Sequence, residues 1–265
     1  MTRYLILAIL AATSSCLSSN SKTATGASTD LSSVILEDKS RSSAYTDSIE
    51  YILAQTSLIG SFRVWEDKDS TISFSQDWLD LYREGEEFHL DTLHYTLSKD
   101  YDECAGVDLV IITSHRSSML YLQVPQVKKG KPVQISVPKQ VLWPEEKAEF
   151  TFNKQHYMLQ ALGKIHRTEK YIDDNDTEQV FHEVSDYRLL LTTPDKHTYT
   201  ILSEQSFNDT FIRLLFVGDL DQDGKPDFVV SAPRDYEEER TLLILSSQMS
   251  KDKVVIYEAT RQFDC

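Results

Sequence analysis

The chain has 265 residues, a formal net charge of −15 at pH 7, and 40% hydrophobic and 26% charged residues. This acidic balance excludes a nucleic acid partner, because binding to phosphates requires a basic face. The balance suits solubility outside the cell and divalent cations. Residues from about Ser48 to Cys265 are numerous enough for one sizeable domain or two small ones.

Residues 1–16 have the layout of a secretory signal, with Arg3, a short apolar run over 4–12 and small residues before Cys16. The apolar run is too short to span a bilayer. A cysteine directly after small residues is typical of a bacterial lipoprotein, in which Cys16 would be acylated and become the mature N-terminus. Thr13 departs from that pattern, which usually has an apolar residue three positions before the cysteine. Ordinary secretion, with Cys16 free or removed, therefore stays open.

Residues 17–47 are rich in Ser, Thr and Ala and contain little that a core would bury. This composition predicts a flexible tether. A tether behind a lipid anchor would hold a folded domain at the cell envelope, on the periplasmic or the surface face of the outer membrane. No further segment is typical of a transmembrane helix, so the expected membrane contact is through the lipid anchor alone.

The remaining chain, 48–265, predicts an all-β domain, because its apolar residues mostly recur with a period of two. Residues 133–137 alternate in this way, and 187–191 and 199–201 flank a turn at 194–196 as in a hairpin. Further strands are expected at 107–112, 119–124, 149–152, 157–162, 242–245 and 254–257.

Short strands separated by turns indicate a sandwich- or barrel-like fold. Helical pattern is scarce, and the few short helices expected lie at 48–58 and 75–82. A seam near 144–148, at Pro144-Glu145-Glu146-Lys147, would divide the domain into two β subdomains.

The chain contains few motifs for catalysis, transition-metal binding or redox chemistry. C-x-x-C is absent, and besides Cys16 the chain has only Cys104 and Cys265, which would form a disulfide in an oxidising compartment or remain two unrelated thiols. H-E-x-x-H and G-x-S-x-G are also absent, so no catalytic residue is predicted. Carboxylate pairs of the glycosidase kind stay open, because 42 acidic residues offer many pairs.

The most informative stretch runs from Asp219 to Asp227, with the sequence DLDQDGKPD. Alternate positions of a short loop around a cation present their side chains inward. Calcium is the expected cation, because it takes six to eight oxygen ligands in irregular geometry. Gly224 stands where the loop must bend sharply. The predicted ligands are four carboxylates and one carbonyl: Asp219, Asp221, Asp223, Asp227 and the carbonyl of Lys225. The alternative is a solvated acidic turn.

The flanks of this loop distinguish it from an EF-hand. The twelfth position counted from Asp219 is Val230 instead of Glu, and both flanks, 211–217 and 228–232, are strand-like. The phrase VGDLDQDGKPDFVVSAP resembles the FG-GAP repeat, a VCBS-type repeat of integrin α-like proteins. This resemblance implies that the aspartates of a hairpin at 211–232 hold calcium between two adjacent strands.

FG-GAP repeats usually occur in series as the blades of a propeller. This chain has no second D-x-D-x-D-G: residues 173–176 lack the alternating spacing and the glycine, and residues 67–69 lack the rest of the loop. The sequence therefore predicts a single calcium-loop hairpin embedded in another β fold, and not a full propeller.

Two functions of different classes stay open. The first is a non-enzymatic, lipid-anchored, calcium-binding β domain with a binding or structural role at the cell envelope, where its ligand would be a glycan, an envelope component or a protein. The second is a secreted or anchored hydrolase that acts on polysaccharide, with a structural calcium. The C-terminal part, with LLILSS at 242–247 and Cys265, resembles small lipoproteins of Bacteroidetes-like bacteria, which implies a location and calcium binding but no activity.

Overall fold

Every regular element in the described part of the chain is a β-strand. The computed structural model describes residues 49–53, 57–65, 77–172 and 176–263. The predicted signal at 1–16 with Cys16, the predicted tether at 17–47, and Cys265 lie outside these ranges. Within them, no helix has the length and apolar character needed to cross a membrane.

The strands are β1 (Ile49–Leu53), β2 (Ser57–Leu58), β3 (Ser61–Val64), β4 (Leu79–Glu84), β5 (Glu87–Thr92), β6 (Tyr95–Asp102), β7 (Val107–Ser114), β8 (Ser117–Leu122), β9 (Val133–Ile135), β10 (Lys147–Phe152), β11 (Gln155–Ile172), β12 (Glu178–Thr192), β13 (Thr198–Ser206), β14 (Arg213–Asp219), β15 (Asp227–Ser231), β16 (Glu238–Met249) and β17 (Val254–Gln262). They form four sheets. We name them the central sheet (β1-β17-β16-β15-β14-β9), the outer sheet (β10-β11-β12-β13), the N-terminal sheet (β2-β8-β4-β5) and the small sheet (β3-β7-β6).

The central sheet is buried on both faces because its inner strands carry near-continuous apolar runs. Side chains alternate between the two faces along each strand. On β15, Phe228 and Val230 belong to a core shared with the outer sheet, whereas Val229 belongs to a core shared with the N-terminal sheet. The hairpin β14–β15 is therefore part of the middle layer of a three-layer β sandwich.

The N-terminal part of the chain builds the layer on one side. Leu81, Leu90 and Leu120 of the N-terminal sheet pack into the core that contains Phe216 and Val229. A third, smaller core joins this layer to the small sheet around Trp78 and Ile112.

The outer sheet contains a long two-stranded extension. β11 has 18 residues and β12 has 15, and they pair along almost their whole length. β10 pairs with β11 only as far as Gln160, and β13 pairs with β12 only from Ser185 onward. Beyond these limits the two strands pair with each other, and most of their residues are exposed.

The structure confirms the all-β prediction and most of the predicted strands. The 187–191 and 199–201 segments lie in β12 and β13, which pair as a hairpin. The segments 211–217 and 228–232 overlap β14 and β15. The arrangement is sandwich-like with open sheets, and among the described residues neither a closed barrel nor a propeller is formed.

The prediction of short helices is wrong for the residues that are described. Residues 49–53 and 57–58, within the predicted helix at 48–58, are strands β1 and β2. Residues 79–82, within the predicted helix at 75–82, begin β4. The physical reason is long-range pairing, since β1 pairs with β17 and β4 lies between β5 and β8, and such contacts override weak local propensity.

The predicted seam at 144–148 lies at the start of the outer sheet, since β10 begins at Lys147. Leu142 before this point and Ala148 after it belong to the same core. The described residues, from Ile49 to Phe263, belong to one compact unit.

Candidate calcium site

The loop 220–226 joins β14 to β15 at one end of the central sheet. Asp219 is the last residue of β14 and Asp227 is the first of β15, and the neighbouring pair Gly218–Asp227 closes the ladder. Because both strands are buried in the middle layer, the first and last aspartates of the loop start from rigid backbone. Both side chains are buried, whereas Asp221 is half-buried.

Three of the predicted ligands come together in space. Asp219, Asp221 and Asp227 each offer a carboxylate oxygen, and these oxygens lie within 4.8 Å of one another. The grouping results from the alternate spacing of the first two aspartates and from the turn that returns the chain to β15. Oxygen ligands at this spacing fit a hard cation such as Ca²⁺.

Backbone amides of the loop hold the first two carboxylates in place. The amides of Asp223 and Gly224 donate to the two oxygens of Asp219 at 3.1 Å and 3.0 Å. The Asp223 amide also donates to Asp221 at 3.1 Å, and the Ser247 hydroxyl donates to the other oxygen of Asp221. Gly224 has a φ of +86°, a conformation that costs a glycine little, as predicted for the bend.

Asp227 is the most enclosed of the three carboxylates. It accepts hydrogen bonds from the Leu220 amide at 2.7 Å and the Ser246 amide at 2.8 Å. Burial nevertheless raises the pKa of Asp227 to about 8, and the nearby charges of Asp221 and Asp223 contribute to this rise. Burial is also the largest cause of the raised pKa of Asp219. Two carboxylates that resist ionisation lie side by side, and a bound cation would favour the ionised form of both.

The group of three carboxylates does not include Asp223. The Asp223 carboxylate accepts from the Lys225 amide at 2.8 Å, and the Lys225 ammonium lies 3.4 Å from it. The carbonyl of Lys225 remains a ligand predicted from spacing alone. The carbonyl of Gly224 accepts a hydrogen bond from the Asn153 side chain at 2.8 Å, which ties the loop to the outer sheet.

Sequence reasoning missed the residues that support the loop from elsewhere in the chain. Ser246 and Ser247 lie on β16, and Asn153 lies in the turn between β10 and β11. The only sequence signal was weak, since the serines directly follow the buried run Leu242–Leu245. Their role depends on the pairing of β15 with β16, which spacing within one loop does not reveal.

The cysteines are only partly described. Cys104 is disulfide-bonded, and the other two cysteines of the chain, Cys16 and Cys265, lie outside the described residues. Pairing of Cys104 with Cys265 stays a prediction.

Comparison with known proteins supports the assignment of the hairpin. Residues 211–241 match the family model of the FG-GAP repeat. The match covers β14, the acidic loop and β15, and it extends into the first residues of β16. Neither a curated protein nor a solved structure matches the chain. The similarity to the FG-GAP repeat thus coincides with the hairpin that carries the acidic loop.

Proposed function

We propose that this protein is a calcium-binding β domain anchored to the cell envelope through acylated Cys16, and that its folded part binds a glycan, an envelope component or another protein. The observation that carries the calcium assignment is the grouping of Asp219, Asp221 and Asp227, whose oxygens lie within 4.8 Å. The FG-GAP match over the same loop supports it, because such repeats often bind calcium.

The chemistry of the loop fits calcium better than magnesium. Ca²⁺ accepts six to eight oxygens in flexible geometry, whereas Mg²⁺ demands near-ideal octahedral geometry and keeps its waters. The grouped aspartates would supply three oxygens. Asp223, the Lys225 carbonyl and water would complete the shell, as the spacing of the loop predicts. Among the described residues, Lys225 forms an ion pair with Asp223. The carboxylates of Asp219, Asp221 and Asp227 form no such pair there, so they can bind a cation.

The calcium assignment predicts a measurable gain in stability. Extracellular calcium modules bind with Kd of roughly 10⁻⁴ to 10⁻³ M. At about 1 mM free calcium and a Kd of about 0.1 mM, linkage gives about 1.4 kcal/mol of stabilisation. Chelation should therefore lower the melting temperature by a few degrees, while the domain stays folded.

Asp221→Asn is the sharpest test of this assignment. An asparagine at 221 can keep both contacts, since its oxygen accepts from the Asp223 amide and its NH₂ can donate to the Ser247 hydroxyl. The substitution removes one charge with little change in loop geometry, so calcium affinity should fall about tenfold or more. Calorimetric titration of metal-free protein, with melting curves in calcium and in chelator, measures this.

Asp108→Asn is the matched control, because Asp108 is an exposed residue of β7 and lies outside the loop. It removes the same charge and should leave the calcium response unchanged. If wild type shows no binding heat and the same melting curve with and without calcium, the loop is only a solvated acidic turn and the calcium assignment is wrong.

Anchoring at Cys16 is a separate part of the proposal and rests on the sequence of residues 1–16. Cells that express the wild-type chain and are fed a fatty-acid probe should yield labelled protein, because the thiol of Cys16 would carry the acyl chain. Cys16→Ser should be unlabelled, whereas Cys104→Ser, the control, should keep the label. Equal labelling of Cys16→Ser and wild type would contradict the anchor.

A binding role is favoured over hydrolysis by where the perturbed carboxylates lie. Burial raises the pKa of Asp80, Glu204, Asp219 and Asp227. None of these four lines a groove between the N-terminal and central sheets, whose walls include Arg83, Arg213 and Thr241. A hydrolase would bring such groups together in its pocket.

The same groove suggests the chemistry of a ligand. It presents two guanidinium groups, Arg83 and Arg213, and a set of hydroxyls from Ser117, Ser118, Thr210, Ser231 and Thr241. Such donors and acceptors match the hydroxyls of a glycan. Screening the purified chain against a glycan panel, with Arg213→Ala as a comparison, tests this ligand class. Release of reducing ends from polysaccharide by the wild-type chain would favour the hydrolase instead.

A further inference from the structure

The extension of the outer sheet is a two-stranded arm, and one of its edges is unpaired among the residues that the structure describes. We call residues 164–172 of β11 and 178–184 of β12 the arm. Its strands pair with each other, from Ile165–Val184 to Ile172–Glu178. In the described part of the chain, the last backbone contacts on the outer side of β11 are those of Ala161 with residues 145 and 146. From Lys164 to Ile172, about 25 Å of β11 has no backbone partner on its outer edge among the described residues.

The arm requires a further contact to be stable. A two-stranded ribbon is marginally stable by itself in water, and an unpaired strand edge is a template for another strand. The arm also exposes large apolar side chains, with Tyr171 at 53% and Ile172 at 61% exposure. These features indicate a surface that is covered by another strand.

The sequence of the edge is complementary to itself. When two copies of one strand pair antiparallel about a two-fold axis, one residue lies opposite its own copy, and its neighbours lie opposite each other. The charged residues of the regular segment are Arg167, Glu169 and Lys170. An axis at Glu169 or at Lys170 would place like charges opposite each other, which is unfavourable.

An axis at Thr168 gives the opposite result. Each Arg167 then lies opposite Glu169 of the second copy, so two ion pairs flank a Thr–Thr pair. Opposite charges and Thr–Thr pairs are both favourable across strands. The ladder of β11 is regular from Arg167 to Ile172, and a bulge between Ile165 and Arg167 limits the segment at its other end.

We propose that two copies of this chain associate through the outer edges of their β11 arms, antiparallel, with Thr168 opposite Thr168 of the second copy. Arg167 is exposed and is within reach of Glu169 and Glu183 of its own chain, at 3.0 Å and 3.5 Å. Exposed pairs of this kind contribute little, so Arg167 is available to a second carboxylate. A contact between two strand edges buries less surface than a standard interface of about 1,600 Å². We therefore expect a weak dimer whose population depends on protein concentration.

Two charge reversals, each made in the full chain, test this register. In a dimer, Arg167→Glu places a new glutamate opposite Glu169, and Glu169→Arg places a new arginine opposite Arg167. Each variant alone should lose dimerisation by tenfold or more, because like charges then face each other.

An equal mixture of the two variants should dimerise again. The new glutamate of one variant faces the new arginine of the other, and the unchanged Glu169 of the first faces the unchanged Arg167 of the second. Strain within each variant arm is present in both the free and the paired state, so it cancels from the comparison.

The measurement is sedimentation equilibrium from about 1 μM to about 500 μM, which spans the affinities expected for a small interface. Lys99→Glu, on the exposed strand β6, makes the same change of charge away from the arm and should dimerise like wild type. Wild type that stays monomeric over this range overturns the proposal, as do single variants that dimerise normally or a mixture that does not. Loss of calcium binding by Asp221→Asn without any change in dimerisation would show that the two proposals are independent.

Discussion

At the scale of single residues, Gly218 shows how tightly the middle layer is packed. It lies on β14 directly before the acidic loop. A Cβ at this position would lie 2.5 Å from the Phe216 ring and 2.6 Å from the Val133 carbonyl oxygen. The carbonyl belongs to the backbone of β9, which pairs with β14, so it cannot move away without disturbing the sheet.

Gly218→Ala should therefore destabilise the domain by about 1–3 kcal/mol through overpacking. Gly85→Ala is the control, since Gly85 has a φ of +63° and, apart from its chain neighbours, no heavy atom of the described residues lies within 4 Å of the position that its Cβ would take. Its backbone strain alone should cost about 1 kcal/mol. Urea denaturation of both variants measures the difference. Equal costs at the two positions would show that the crowding at Gly218 is relieved at little cost.

Asp80 is a second residue whose position has a measurable consequence. Its side chain is fully buried on β4, where one oxygen accepts from the hydroxyls of Ser114 and Ser118. The other oxygen has no hydrogen-bond partner among the described residues. Burial raises the pKa of Asp80, and the two hydroxyls only partly oppose this. The pKa of Asp80 is therefore higher in the folded state than in the unfolded state. The free energy of unfolding falls as pH rises from the unfolded-state pKa to the folded-state pKa.

Asp80→Asn should accordingly stabilise the domain by about 1 kcal/mol at neutral pH, because it removes a buried charge with an unsatisfied oxygen. The gain should vanish at a pH below the ordinary pKa of an aspartate, where the wild-type side chain is protonated in both states. Unfolding free energies measured across that pH range, with Asp108→Asn as the exposed control, test this. A gain that is independent of pH would contradict the burial of charge as its cause.

At the scale of elements, period-two patterns predicted strands well wherever one strand face is polar or a turn is marked by sequence. The turn at 194–196 is an example, and it joins β12 to β13 as expected. The pattern did not predict the length of β11, whose arm residues alternate poorly because both faces are exposed. It also misassigned 79–82 as helical, because Leu79, Asp80 and Leu81 are all buried and show no alternation.

The candidate site likewise has a part that sequence spacing predicts and a part that only the tertiary fold reveals. The spacing of the loop predicted Asp219, Asp221 and Asp227, since the positions of these residues are set by nine consecutive residues and one hairpin. Spacing also predicted Asp223 as a ligand, and this stays a prediction; its carboxylate accepts a hydrogen bond from the Lys225 amide. The contacts from Ser246, Ser247 and Asn153 come from strands that are distant in sequence, so only the tertiary fold reveals them.

At the scale of the whole molecule, a buried ion network joins the central sheet to the outer sheet. Arg240 on β16 is almost fully buried and contacts Glu204 of β13 at 2.6 Å and Glu258 of β17 at 2.9 Å. It also donates to the Ala232 carbonyl at 3.0 Å, directly after β15. Three strands of two layers therefore meet at one guanidinium.

Arg240→Met should destabilise the domain by about 3–5 kcal/mol, because it leaves two glutamates buried without their shared partner. The triple variant Arg240→Met, Glu204→Gln, Glu258→Gln should recover much of that loss, since no uncompensated charge remains. Chemical denaturation of both proteins at neutral pH is the measurement. A loss below about 1 kcal/mol for the single variant would mean that the glutamates reach water or another cation.

The pairing of β1 with β17 has a mechanical consequence. β1 is an edge strand of the central sheet, and its five residues pair in parallel register with β17, from Ile49–Val254 to Leu53–Glu258. In a chain tethered through Cys16, as proposed, any pull on the domain enters the described part at Ile49. A force along the strand loads all the rungs of this parallel ladder in shear, whereas a force across it breaks them one at a time. The strand nearest the anchor would then act as a force-bearing clamp on the middle layer of the sandwich.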